Sequence, residues 1–125
     1  YLEKIGCHYN SQKRFTECRD NRKLPFDFVI SNGNYILIEY DGEQHFKPCL
    51  YFGGEDRYRK CVLHDVIKNK FCLENKYLLL RIAYTDIDFI ESLIDKAILV
   101  SKSNTSDIIY SNPKLYKTAY INRGS

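Results

Sequence analysis

The apolar positions of this chain fall into short β-like runs and two stretches of helical period. Residues 1–6 read as the tail of a helix stopping at Gly6, a residue type that commonly ends helices. His8 to Thr16, with Tyr9, Lys13 and Phe15 alternating, reads as an edge strand, and the polar segment Cys18 to Lys23 as a loop. Leu24 to Ile30 and Tyr35 to Tyr40 are β-rich runs separated by Ser31-Asn32-Gly33-Asn34. Asn-Gly between such runs predicts a hairpin, because both residues accept positive φ. A loop follows from Gly42 to Glu55, with Pro48 and the pair Gly53-Gly54. From Asp56 to Asn75, the residues Val62, Leu63, Val66, Ile67 and Phe71 recur at helical spacing. Tyr77 to Ile82 is a short apolar run of the central-strand kind, and Ile87, Ile90, Ile94, Ala97 and Ile98 mark a second amphipathic helix from Asp86 to Lys102. The polar C-terminal stretch carries scattered Tyr and Ile and no pattern that places it. The order predicts an α/β or α+β chain with a mixed sheet.

Composition narrows the class. The chain has 125 residues, 44% hydrophobic and 28% charged, which suits one globular domain rather than a disordered segment. No apolar run is long enough to span a bilayer, so no membrane partner is expected. Five cysteines at irregular spacing leave one over in any disulfide scheme and point to a reducing, intracellular compartment. Methionine is absent, so Tyr1 is not an intact translation start, and the piece is expected to be processed or excised from a larger polypeptide whose other domains would be partners. The abundance of Lys, Asn, Ile and Tyr suggests an AT-rich source such as a phage or large DNA virus.

Candidate chemistry concentrates on the hairpin. Asp27 interrupts an apolar run between Pro25-Phe26 and Phe28-Val29, and a carboxylate there is costly to bury unless something cationic neutralises it. Glu39 and Asp41 lie two apart on the second run and so point to one face. Each pair of such acids at about 4 Å costs on the order of 4 kcal/mol at an effective dielectric of 20. A hard divalent cation, Mg²⁺ or Mn²⁺, is the natural glue for oxygen-rich sites of this kind. Asp41-Gly42 is equally a common turn start, and His45 equally an ordinary loop histidine. On the following helix, Asp65 and Lys68 share a face: either a surface ion pair, or groups delivered to the hairpin acids if the helix packs beside them.

The net charge of +3 is too mild to demonstrate a polyanion partner. Lys13, Arg14, Arg19, Arg22 and Lys23 nevertheless crowd the segment before the hairpin, and Lys47, Arg57, Arg59 and Lys60 follow the acids. Of these, Lys13, Arg14, Arg22, Lys47 and Arg59 are the candidate DNA contacts, against the alternative that they only keep the protein soluble. Cys18, Cys49, Cys61 and His64 lack zinc-ribbon spacing, and small buried thiols are the simpler reading.

Taken in order, Leu24-Pro25-Phe26-Asp27-Phe28, Ile38-Glu39-Tyr40-Asp41-Gly42-Glu43-Gln44-His45-Phe46, His64-Asp65-Val66-Ile67-Lys68-Asn69 and Leu79-Leu80-Arg81-Ile82 resemble the PD-(D/E)XK nuclease superfamily. The resemblance is to its branch containing very-short-patch-repair endonucleases and homing endonucleases of the EDxHD type. It implies a restriction-endonuclease-like fold, one nuclease domain over residues 1–125, and Mg²⁺-dependent hydrolysis of DNA phosphodiesters. Asp27 and Glu39 would be the metal-binding acids, His45 would generate or orient the attacking water, and Asp65 matches the final acid of EDxHD. Lys68 would replace the superfamily lysine, because the position two after Glu39 holds Asp41. The branch also carries a glutamate on a helix ahead of the first strand. Glu3 does not match its register, so that acid is expected upstream of Tyr1. The rival expectation is a catalytically inactive nuclease-fold module that binds nucleic acid or docks a protein.

Overall fold

A computed structural model describes residues 1–20, 22–32, 34–47, 54–103 and 106–123. Five strands form one mixed sheet in the order β1-β2-β3-β4-β5, with three helices around it: β1 Tyr9–Arg19, β2 Lys23–Asn32, β3 Asn34–Asp41, α1 Gly54–Glu74, β4 Leu78–Ala83, α2 Ile90–Ser101, β5 Ile108–Tyr110 and α3 Pro113–Arg123. β1, β2 and β3 are antiparallel neighbours, whereas β3–β4 and β4–β5 are parallel. A parallel pair needs a crossover. The segment containing α1 makes the first, and that containing α2 the second.

The two helices cover opposite faces. Alternation along β3 and β4 sends Ile36, Ile38, Leu78, Leu80 and Ile82 toward Ile94 and Ala97 of α2. It sends Leu37 and Leu79 toward Phe71 and Cys72 of α1, where Phe26, Val29 and Cys18 complete the cluster. β4 is buried at all six positions, as expected of the middle strand of a covered parallel segment. A third cluster, of Phe46, Ala83, Tyr116 and Ala119, fastens α3 at the C-terminal end of β4.

Several boundaries differ from the sequence expectation. Residues 2–6 form turns rather than helix, although Gly6 does take positive φ, at 74°. β1 runs on to Arg19, with Cys18 a fully buried anchor on the α1 face, and β2 begins at Lys23, so the expected loop loses both its ends to strands. The hairpin closes with Asn32 paired to Asn34; Gly33 lies outside the described residues. In the expected loop after Gly42, Glu43–His45 is a short 3₁₀ turn and α1 already begins at Gly54. Pro48, Cys49 and Gly53 lie outside the described residues. A 3₁₀ segment, Tyr84–Phe89, precedes α2. The unplaced C-terminus supplies β5 and α3.

Of the expected apolar face of α1, Phe71 and Ile67 do pack into the core beside the sheet, but the inward stripe is more polar than expected. Asp65, Lys68, Asn69 and Cys72, spaced as one helical stripe, lie buried or half-buried, while Leu63 and Val66 of the expected apolar face are 48% and 56% exposed. Charged partners waiting on the sheet draw that polar stripe inward.

Candidate functional site

β3 alternates without interruption, and its last inward positions on the α1 side are Glu39 and Asp41. They stand about 7 Å apart along the strand. Across from them, Asp65 and Lys68 lie one turn apart on α1. The acids therefore meet the helix in two adjacent groups.

The first group joins Asp27, Glu39 and Lys68. The β2–β3 ladder ends at Phe28–Ile38, one pair short of Asp27 and Glu39. Side chains bridge the gap: the Asp27 amide donates to Glu39 Oε1 at 3.0 Å, and the Tyr40 amide donates to Asp27 Oδ2 at 2.7 Å. Lys68 Nζ donates to Glu39 Oε2 at 2.8 Å and lies 5.3 Å from the centroid of the Phe26 ring. Asp27 is only half-buried, and so is less sheltered than its apolar surroundings predicted. Glu39 is buried, and burial pushes its carboxyl above the ordinary 4.5, against the pull of Lys68 and Arg81 and with the push of Asp27. The group thus brings two carboxyl groups to one ammonium.

The second group joins Asp41, His45, Asp65 and Arg81. Arg81 is 0% exposed at the centre of the sheet. Its NH1 donates to Asp41 Oδ1 and Oδ2 at 2.8 and 3.0 Å, and its Nε donates to Asn69 Oδ1 at 2.7 Å. The same NH1 stands 3.5 Å from Asp65 Oδ1. Tyr116 of α3 adds a hydroxyl donated to Asp41 Oδ2 at 2.7 Å. His45, carried in by the 3₁₀ turn, places Nδ1 3.1 Å from both Asp65 oxygens and 3.5 Å from Asp41 Oδ1. Burial disfavours its charged form, but the hydrogen bond to Asp65 and the charges of Asp65 and Asp41 outweigh burial and the opposition of Arg81, so its pKa lies above 6.5. A proton on His45 balances two carboxylates and one guanidinium.

Asp41, His45 and Asp65 bring ligand atoms within 4.8 Å of one another, the one such grouping among the described residues. An ion there would compete with a guanidinium and a phenol already bound to Asp41, in a cluster that a proton neutralises. The Asp27–Glu39 pair also offers hard oxygen donors and a half-exposed member, and an ion there would share Glu39 with Lys68 and the Asp27 amide.

Asp41 is thus no mere turn residue, and Asp65 and Lys68 are not a surface ion pair: Asp65 meets His45 and Arg81, while Lys68 binds Glu39. The basic candidates are scattered. Lys13 is half-buried over the Phe15 ring, and Arg14 donates to the Lys23 carbonyl oxygen at 2.6 Å. Arg22 lines a cavity of about 260 Å³ with Asp20, Leu24, Lys60 and His64. Lys47 and Arg59 face Glu43 and Glu55, each four residues away. Cys18 and Cys72 are fully buried, and burial holds their thiols up, at about 11 and about 12. Cys18, Cys61 and His64 form no metal-capable group among the described residues.

Sequence reasoning missed the roles of Arg81 and Tyr116. A lone arginine inside Leu78–Ala83 was the available signal, since a buried charge requires partners. Tyr116 sat in the unplaced C-terminus and carried none. The chain matches no family model, and neither the curated proteins nor the solved structures contain a match to it.

Proposed function

We propose that this chain is a DNA endonuclease of PD-(D/E)XK type, dependent on Mg²⁺ or Mn²⁺ held by Asp27 and Glu39. The observation that carries the reading is the meeting of Asp27, Glu39 and Lys68, from two strands and a helix, beside the His45–Asp65 pair. An antiparallel hairpin running into parallel strands through a helical crossover supports the restriction-endonuclease-like form of the α/β fold.

When bound, such an ion polarises the scissile phosphoryl oxygen and makes water a stronger acid. The protein supplies the rest. Asp65 fixes the His45 ring with its proton on Nδ1, so Nε2 of the neutral ring is the nitrogen that takes a proton from attacking water. Lys68 opposes the effect of burial on the Glu39 carboxyl and places positive charge where the phosphate gains negative charge. Arg81 holds Asp41 and the neighbouring helix in place around His45.

The test is conversion of supercoiled plasmid to nicked or linear DNA in Mg²⁺ or Mn²⁺. Wild type cleaves; Asp27→Ala stays folded and does not. Cleavage by Asp27→Ala at the wild-type rate would refute the assignment. DNA binding without cleavage by wild type would favour the inactive docking module instead.

A further inference from the structure

Two non-glycine residues among the described ones have positive φ: Lys76 at 58° and Gln12 at 54°. Lys76 follows the end of α1, where the Tyr77 amide closes onto the Cys72 carbonyl oxygen, a usual setting for a left-handed residue. Gln12 has no such excuse, for it lies inside β1. A left-handed residue there is strained and persists only where its surroundings hold it.

The strain coincides with a switch of faces. Tyr9 and Phe15 are six residues apart and should share a face, yet Tyr9 packs with Phe28 on the α2 side and Phe15 with Phe26 on the α1 side. Phe26 and Phe28 break alternation in the same way on β2. The β1–β2 register is unchanged across the switch, from Ser11–Phe28 to Lys13–Phe26. The skipped pair is Gln12 and Asp27. Both strands flip at one point, and that point is the candidate metal-binding acid.

Gln12 Nε2 lies 3.4 Å from Asp27 Oδ1, while the other oxygen is held by the Tyr40 amide. A bond that long is weak, and catalytic hydrogen bonds are often long before the ligand arrives. We infer that Gln12 is a positioning residue: the left-handed kink in β1 aims its amide at Asp27 and sets the carboxylate for a divalent cation. This rests on the proposed metal reading of Asp27 and Glu39.

The experiment is Mn²⁺ titration of the 125-residue chain, with free Mn²⁺ read by electron paramagnetic resonance, beside thermal melts. Gln12→Gly accepts the same φ and lacks the amide. It is expected to melt no lower than wild type and to bind Mn²⁺ about 10-fold more weakly, the usual loss for a group that orients a metal ligand. Gln12→Asn, which also tolerates positive φ but is one methylene shorter, is expected to weaken binding likewise. Wild-type affinity in either variant, with binding lost in Asp27→Asn, overturns the inference while leaving the metal reading intact. Wild-type protein that binds no Mn²⁺, or Mn²⁺ binding that Asp27→Asn leaves unchanged, overturns both.

Discussion

Replacing Arg81 by Met is the sharpest test of the buried network. Methionine fills the volume of the side chain's stem and keeps the strand apolar, but removes the guanidinium from Asp41, Asn69 and Asp65. Arg81 and Asp41 are 0% and 1% exposed, so the carboxylate left behind cannot be rescreened by water. Breaking a buried pair from one side costs about 3–5 kcal/mol. A domain of this size has a total stability of about 5–15 kcal/mol, so the variant should remain folded but fragile. At about 3–5 °C per kcal/mol, its midpoint should fall about 10–20 °C. Urea unfolding followed by far-ultraviolet circular dichroism measures the loss, the chain having no tryptophan to report it. Adding Asp41→Leu removes the carboxylate left with only the Tyr116 hydroxyl and His45 and should recover about half the loss. A loss below about 1 kcal/mol, or a double variant equal to the sum of its singles, would refute the network as described.

Lys68→Met should abolish plasmid cleavage and destabilise the fold in a pH-dependent way. Burial already holds the Glu39 pKa above 4.5, so ionisation of Glu39 opposes folding, and losing Lys68 raises that pKa further. The deficit against wild type should therefore be smallest below about pH 4.5 and grow as pH rises, which unfolding at several pH values checks. His45 has a raised pKa, so its protonation stabilises the fold below about pH 6.5, and this stabilisation is lost as pH rises through the folded value. Cleavage should rise with pH through that same value, above 6.5, as the base form appears. Asp65→Asn removes the interactions that hold the pKa up and should move the midpoint of the rate profile down; an unmoved midpoint, or full activity of His45→Ala across pH 6–9, removes His45 from the mechanism.

The sheet and its main helices were legible because their apolar residues alternate or recur within short windows: the β2–β3 hairpin, the Leu78–Ala83 strand and the Ile90–Ala97 helix all follow local rules. Asp27, Glu39, His45, Asp65 and Lys68 were legible as chemistry-bearing types in a familiar order. Their division into two groups was not, because it depends on which stripe α1 turns inward. Helical period finds Leu63 and Val66, which stay exposed, before it finds Asp65, Lys68 and Asn69, which turn in beside Phe71 to meet the charges on β3 and β4. Gln12 was illegible for a related reason. Nothing local in Ser11-Gln12-Lys13 demands a left-handed residue; the demand comes from β2, which must flip at Asp27.

The central claim is that Asp27 and Glu39 together hold one divalent ion beside Lys68. Anomalous diffraction from crystals grown in Mn²⁺ tests it directly. The account predicts a single strong peak at about metal–oxygen bonding distance, near 2.1–2.2 Å, from a carboxylate oxygen of each residue. A peak seated instead among Asp41, His45 and Asp65, or none at saturating Mn²⁺, would contradict it.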